Sequence, residues 1–396
     1  MSRAKLIEMV RHNMAHTRAG TIDRAPDIHR VPVEHYFDPV RWQREMQRIF
    51  KRMPLMLAIS NELKATGDFK SMDVAGVPVV LVRHGDGGVR AFINSCSHRG
   101  AQIVTEPSGN GASFSCPYHA WTYDHDGTLV AVYKEEDFGV IDKACHGLTV
   151  LPTFESAGMI WVTLDPNSTL DTKVFLSGYD EILAHFGFAD WELYDSRTIA
   201  GPNWKIAYDG YMDLYHLPIL HKRTFGSNMS NQALYYAWGP HQRVVSPDPS
   251  LLELEDTPES EWSTAAMMAS VWTIFPHVSI AGFGGGGRSV MISQLFPGDA
   301  VGESRTVQNY VMAQLPETDQ AREQAREQFE LLEYVVREED YATGLRQQRA
   351  LKARANTHVM FGRNEGGGQR FHRWVDRLLE TEDADLEDLF RPGSGI

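Results

Sequence analysis

Cysteine is scarce in this chain, with three residues in 396. No disulfide framework can be built from so few, and the count suits a reducing cytoplasm. Positive charge is also short: 38 Lys and Arg stand against 52 Asp and Glu, a formal net charge of −14. That balance gives nucleic acid no electrostatic support as a partner. Long apolar runs are missing as well. The opening MSRAKLIEMVRHNMAHTRAG has no apolar stretch of signal-peptide length, and no segment approaches a membrane span. The expectation is a soluble, cytoplasmic protein with no membrane partner. No nicotinamide or flavin fingerprint is present. Gly284-Gly285-Gly286-Gly287 is followed by Arg288-Ser289-Val290, not by the Lys-Ser or Lys-Thr of a phosphate loop, so a flexible hairpin connection is expected there.

The length allows two or three domains and an ample core. Residues 1–35 read as helical and then extended, with no chemistry assigned. In 38–53 the apolar residues Val40, Trp42, Met46, Ile49 and Phe50 recur at helical spacing and predict a core-facing helix. From Gly67 to Asp165 the pattern changes to short alternating strands. VAGVPVVLVRHGDGGVRAFINSC predicts a hairpin around Gly-Asp-Gly-Gly, and TYDHDGTLVAVY another with Asp126-Gly127 at its tip. After Pro166 helices are expected near 177–187 and 203–217, then strands in MMASVWTIFPHVSIAGF, RSVMISQLFPG and SRTVQNYVMAQLP. Residues 317–352 predict the longest helical segment, opening on the acidic Glu317-Thr318-Asp319. The end, ETEDADLEDLFRPGSGI, predicts a partly ordered acidic tail.

Four residues stand out within the β-rich region. Cys96 and His98 form Cys-x-His, and after a gap of seventeen residues Cys116 and His119 form Cys-x-x-His. Each motif offers one sulfur and one nitrogen. A 2Fe–2S cluster with two Cys on one iron and two His on the other takes that set, and the imidazoles raise its reduction potential. Structural zinc is the competing reading, although zinc sites more often begin Cys-x-x-Cys. Cys145 is left over.

A second constellation lies in NWKIAYDGYMDLYHLPILH. His216 and His221 are five apart, which on an unbroken helix sets them about 140° from one another. Pro218 lies between them and is expected to break the helix and let His221 swing back. Two His and one carboxylate on one face of a metal, with the other face open, suit non-haem Fe(II) oxygen chemistry. Glu338, Glu339 and Asp340 in the late helix are candidates for the carboxylate, and periodicity does not choose among them. Asp213, three residues before His216, is placed to hydrogen-bond its imidazole.

Together these motifs closely resemble the large subunit of Rieske non-haem iron ring-hydroxylating oxygenases. GVRAFINSCSHRGAQI and SCPYHAWTYDHDGTL resemble the cluster domain, NWKIAYDGYMDLYHLPILH the catalytic iron segment, and FGRNEGGGQRFHRWVDRLL the closing C-terminal segment. The resemblance implies an α+β fold. A small all-β Rieske domain (38–165) would join a larger mixed catalytic domain (166–396) whose antiparallel sheet is flanked by helices in a helix-grip arrangement. Residues 1–37 would pack on the catalytic domain. It further implies that Cys96, His98, Cys116 and His119 hold one Rieske 2Fe–2S cluster, and that His216, His221 and Asp340 hold one mononuclear non-haem Fe(II). Asp340 is chosen because the family shows Glu-Asp followed eight residues later by Gln, as Glu339-Asp340 and Gln348 do here. Asp213 matches the acid that bridges the two centres. Family members often carry Glu-Asn-Tyr before that acid, whereas this chain has Asp209-Gly210-Tyr211.

The partners implied are O2, a small apolar organic substrate, and a separate reductase acting directly or through a ferredoxin. The assembly implied is a three-fold ring, with or without a small beta subunit, in which His119 of one copy faces Asp213 and His216 of the next. The expected activity is hydroxylation of an aromatic or polycyclic substrate. The alternatives are monooxygenation, including O- or N-demethylation or attack on a non-aromatic substrate, and a Rieske electron carrier without catalysis. The apolar segment 271–283 reads either as pocket lining or as sheet core.

Overall fold

Alternating residues between Asp68 and Leu151 build a five-stranded antiparallel sheet in the order Val150–Leu151, Val89–Ile93, Val77–Arg83, Asp68–Val74, Ser108–Asn110. The Gly-Asp-Gly-Gly turn closes as expected: His84 N–H donates to the Gly88 carbonyl at 2.8 Å and Gly87 takes φ +86°, which glycine adopts without penalty. A three-stranded sheet, Phe114–Ser115, Thr122–Tyr123 and Leu129–Ala131, carries the second hairpin. Val80, Val82, Phe92, Phe114, Trp121 and Tyr123 form a small core of their own under the two Cys/His loops. The computed structural model describes residues 2–226, 228–283 and 287–391. Gly284–Gly286 of the glycine run, and the last five residues of the acidic tail, lie outside them.

The larger region is organised by a seven-stranded antiparallel sheet. Its order is Glu192–Gly201, Ser304–Met312, Ser289–Pro297, Val278–Phe283, Val271–Ile274, His241–Val245, Leu234–Trp238. Trp272, Ile274, Val278 and Ile280 are fully buried, so these members of the apolar 271–283 segment are sheet core. Helices cover the sheet, and the fold is thus α+β with a small β domain beside a mixed one. A buried strand, Leu55–Ile59, links the two regions: Gln294 Nε2 of the large sheet donates to the Met56 carbonyl at 2.8 Å.

The helix Pro39–Glu45, capped by Asp38 and continued by a wider π turn over Met46–Phe50, packs on the C-terminal helix Gly366–Glu380 and on Trp204. Ile49 and Phe50 are buried as expected. Val40, in the first turn, is 67% exposed and does not join that face. Its partner residue inward is Glu45, fully buried, which accepts hydrogen bonds from Trp204 Nε1 at 2.9 Å and from the fully buried Lys205 ammonium. The pair fixes the start of the helix Trp204–Asp209, which leads into the candidate site. The late segment is one continuous helical rod: Asp319–Tyr334, a π turn over Val335–Tyr341, then Ala342–Lys352.

Candidate metal centres

Both Cys/His loops follow the same backbone pattern. The N–H of each cysteine donates to the carbonyl five residues on, Cys96 to Ala101 and Cys116 to Trp121, both at 2.8 Å. Each cysteine carbonyl accepts from the N–H four residues on, Gly100 at 2.8 Å and Ala120 at 2.9 Å. A left-handed residue closes each turn, φ +74° at Gly100 and +55° at Ala120. At Ala120 that conformation costs about 1–2 kcal/mol, which the two turn bonds offset.

The loops bring the four predicted residues to one end of the small domain. Cys96 and Cys116 are each 3% exposed and neither is in a disulfide. The His98 and His119 rings stand 4.7 Å apart between centroids, and His98 stacks on Trp121 at 4.8 Å. His98 Nδ1 is buried with no hydrogen-bond partner. A bare imidazole nitrogen beside buried thiols is costly unless a metal takes its lone pair. Burial, reinforced by His119 and Arg99, holds His98 below its usual pKa, which keeps the ring in its ligating neutral form. The donor set therefore fits a 2Fe–2S centre. The Tyr123 hydroxyl, 3.2 Å from Cys96 Sγ, is an addition that sequence reasoning did not single out. Burial and Cys96 push this phenol up to about 12, so it stays protonated and able to donate to sulfur.

The second site is assembled differently from expectation. The helix predicted over 203–217 stops at Asp209, passes through a 3-10 turn at Gly210–Met212, and breaks at Asp213, which is extended (φ −131°, ψ 135°). Pro218 does not break anything. It sits in the first turn of a new short helix, Leu217–Leu220, where its missing N–H costs no bond. His216 is that helix's N-cap and His221 its C-cap, with φ −94° and ψ 14°. Both His thus lie at the ends of the helical screw, and their rings converge to 5.1 Å between centroids.

The carboxylate arrives from the π turn of the late helix. Asp340 Oδ1 is 3.2 Å from His221 Nε2 and 3.8 Å from His216 Nε2. One ligand atom from each of the three lies within 4.8 Å of the other two. The outward nitrogens are also held. His216 Nδ1 is 2.8 Å from Asp213 Oδ2, and His221 Nδ1 is 2.7 Å from Glu339 Oε2, whose other oxygen accepts from Thr224 Oγ1 at 2.8 Å. Carboxylates on both Nδ1 atoms fix the tautomer that leaves both Nε2 lone pairs facing Asp340. This is the donor set and the orientation that a divalent iron takes, so the residues fit the metal. The wide π turn lets the adjacent Glu339 and Asp340 both address His221, one on each nitrogen. Glu339 had been only one of three undecided acids; its place beside the second nitrogen needs the tertiary structure.

The face of the large sheet turned toward this segment is polar. Gln242, Thr273, Ser279, Ser293, Gln308 and Arg197 stand opposite one another across six strands. On that face Thr306 bonds the Tyr341 hydroxyl, next to Asp340. Ser279 Oγ and Gln308 Nε2 are buried without hydrogen-bond partners.

Two family models match the chain. Residues 53–153 match the Rieske [2Fe-2S] domain and residues 188–381 the ring hydroxylating alpha subunit, catalytic domain. The glycine betaine monooxygenase oxygenase subunit of Chromohalobacter salexigens is 30% identical over 203 residues, which is 50% of this chain and 44% of that protein. The anthranilate 1,2-dioxygenase large subunit of Acinetobacter baylyi is 31% identical over 236 residues, 56% of this chain and 49% of that protein. The chain thus spans about half the length of the curated relatives it matches. Among solved structures, a quaternary ammonium Rieske monooxygenase in complex with L-carnitine superposes with a TM-score of 0.75 at 22% identity, covering 90% of this chain and 97% of that one. Naphthalene 1,2-dioxygenase from a Rhodococcus species superposes with a TM-score of 0.73 at 17% identity, covering 96% and 100%. At such identities the superpositions establish the fold.

Proposed function

This chain belongs to the family of Rieske oxygenase alpha subunits, and we propose that it is the terminal oxygenase component of a system that hydroxylates an organic substrate with O2. The observation that carries this reading is that one chain holds both the Cys96, His98, Cys116, His119 loops and the convergent His216, His221, Asp340 triad. When bound, the 2Fe–2S group supplies one-electron transfer and the ferrous ion supplies oxygen activation. Cys96, Cys116, His98 and His119 would hold the first, and His216, His221 and Asp340 the second. Glu339 and Asp213 keep the protons on the outward imidazole nitrogens. Asp213 also reaches toward solvent, with a side chain 21% exposed beside Tyr215 at 54% and Ile219 at 80%. Tyr118, next to His119, is 57% exposed. These exposed apolar residues support a contact between copies, and the family resemblance makes that contact part of a three-fold ring in which His119 of one copy meets Asp213 of the next. Electrons then come from a separate reductase, directly or through a ferredoxin, in a reducing cytoplasm.

For the substrate, an aromatic or polycyclic body remains the primary reading, and the polar sheet face adds a requirement to it. Ser279 and Gln308 favour a substrate that carries hydrogen-bonding substituents over a bare hydrocarbon. A second reading, monooxygenation of a quaternary ammonium compound, is supported by the relatives named as glycine betaine, carnitine and choline monooxygenases. Substituted aromatic acids and quaternary amines should be screened with a surrogate reductase under labelled O2, with products analysed by mass. Two labels in one product support ring dioxygenation, and an unlabelled demethylated product with the single label in the released formaldehyde, trapped before exchange with water, supports demethylation. Failure of every candidate to take up label, with the protein fully iron-loaded and reducible, would remove the oxygenase reading.

A further inference from the structure

Far along the chain from both iron sites, the N-terminal helix Ser2–Ala19 carries a second pair of histidines beside an aspartate. His12 and His16 are one helical turn apart and share a face. The helix ends in a Schellman turn: Thr21 N–H donates to the His16 carbonyl at 3.1 Å, Gly20 N–H to the Thr17 carbonyl at 3.3 Å, and Gly20 takes φ +61°. This reversal brings Asp23 back over the two rings. His16 Nε2 lies 3.1 Å from His12 Nε2, and Asp23 Oδ1 lies 3.5 Å from the first and 3.9 Å from the second. Ligands about 2.1 Å from a tetrahedral metal stand about 3.4 Å apart, so the three atoms already have the spacing of a coordination shell.

Every member is oriented from behind. The Tyr236 hydroxyl gives its single proton to the Met9 carbonyl at 3.0 Å, so it accepts from His12 Nδ1 at 2.9 Å. His12 Nε2 must then present a lone pair. His16 Nδ1 is 2.9 Å from Thr21 Oγ1, a hydroxyl that can accept from it or donate to it; in the tautomer with the proton on Nδ1, His16 Nε2 presents a second one. Asp23 Oδ2 accepts from Tyr235 N–H at 3.2 Å. Two lone pairs facing each other at hydrogen-bond distance repel unless a proton or a metal lies between them. We propose that His12, His16 and Asp23 form a binding site for a divalent transition-metal cation, zinc-like in its preference for imidazole and carboxylate, that staples the N-terminal helix to the edge strand Leu234–Trp238. The three side chains are 40%, 20% and 33% exposed, which leaves room for water to complete the shell. Tyr235 and Tyr236 carry the staple into the sheet, and the Tyr235 hydroxyl continues to the Asn364 carbonyl at 2.9 Å.

The test is to titrate zinc chloride into the iron-loaded full chain, pass it through a desalting column, and count zinc and iron by mass spectrometry. One retained zinc per chain with iron unchanged is expected, and its loss in the His12→Gln/His16→Gln variant. Asp23→Asn, which leaves the helix untouched, should weaken retention by at least about tenfold. Cobalt in place of zinc should give the visible absorption of a low-symmetry N/O site in the wild type only. Zinc that enters only by displacing iron, or that binds the double variant equally, overturns the proposal.

Discussion

The cluster loops draw all four ligands from one short stretch, Cys96 to His119, and support them with a private core. The triad joins His221 to Asp340, and beside it Glu339, 118 positions away, between the short helix Leu217–Leu220 and the late helical rod. The difference teaches where each site is vulnerable. A locally built pocket depends on its own turns. A remotely built one depends on whatever holds two distant elements in register, including groups that never approach the metal.

The largest effect is expected from Asp340→Ala, which should remove the mononuclear iron and abolish turnover while the cluster's visible absorption stays intact. Retained iron would transfer the ligand role to Glu338 or Glu339. Next comes Lys205→Ala. It leaves the fully buried Glu45 carboxylate with only Arg41 Nε at 3.0 Å and Trp204 Nε1 at 2.9 Å, and should destabilise the chain by about 2–3 kcal/mol in chemical denaturation. If the comparison holds, mononuclear iron is lost at lower denaturant than the cluster chromophore, and coincident loss would refute the contrast. Asp213→Asn keeps the hydrogen bond's shape but not its charge. It should leave both metals bound and lower steady-state turnover about 100-fold, read against iron content. Wild-type turnover in that variant would show that Asp213 is no bridge. Glu339→Gln should weaken iron affinity about tenfold, measured by competition with a chelator, because His221 loses its charged partner. The smallest effect is expected from Tyr123→Phe. Losing the hydroxyl beside Cys96 should shift the cluster potential downward in voltammetry without touching the triad.

The same contrast explains what could be read in the chain beforehand. The β domain was legible because its signals are local: alternation, two Gly-rich turns, and ligands held by turns that repeat each other. The Trp204–His221 segment was legible in composition but not in shape. Pro218 promised a break, yet it lies where a helix begins; the helix ends earlier, at Asp209, where Gly210 is the C-cap and the chain turns extended by Asp213. The choice between Glu339 and Asp340 was hidden for a related reason. The π turn over Val335–Tyr341 changes the helical screw where the acids lie, so a regular period could not tell which faces inward. Only family resemblance named Asp340, and nothing in the sequence named Glu339 as the partner of His221. His12, His16 and Asp23 went unassigned because a Schellman turn, not spacing along one helix, brings the third residue to the other two.

Iron and acid-labile sulfide counted on the same anaerobically prepared wild-type chain test the central claim most directly. The account predicts about three irons for every two sulfides, with a red-brown colour and the paramagnetic signal of a mixed-ligand pair on half reduction. Two irons for two sulfides would leave an electron carrier with an idle triad, and colourless protein holding zinc would contradict the account altogether.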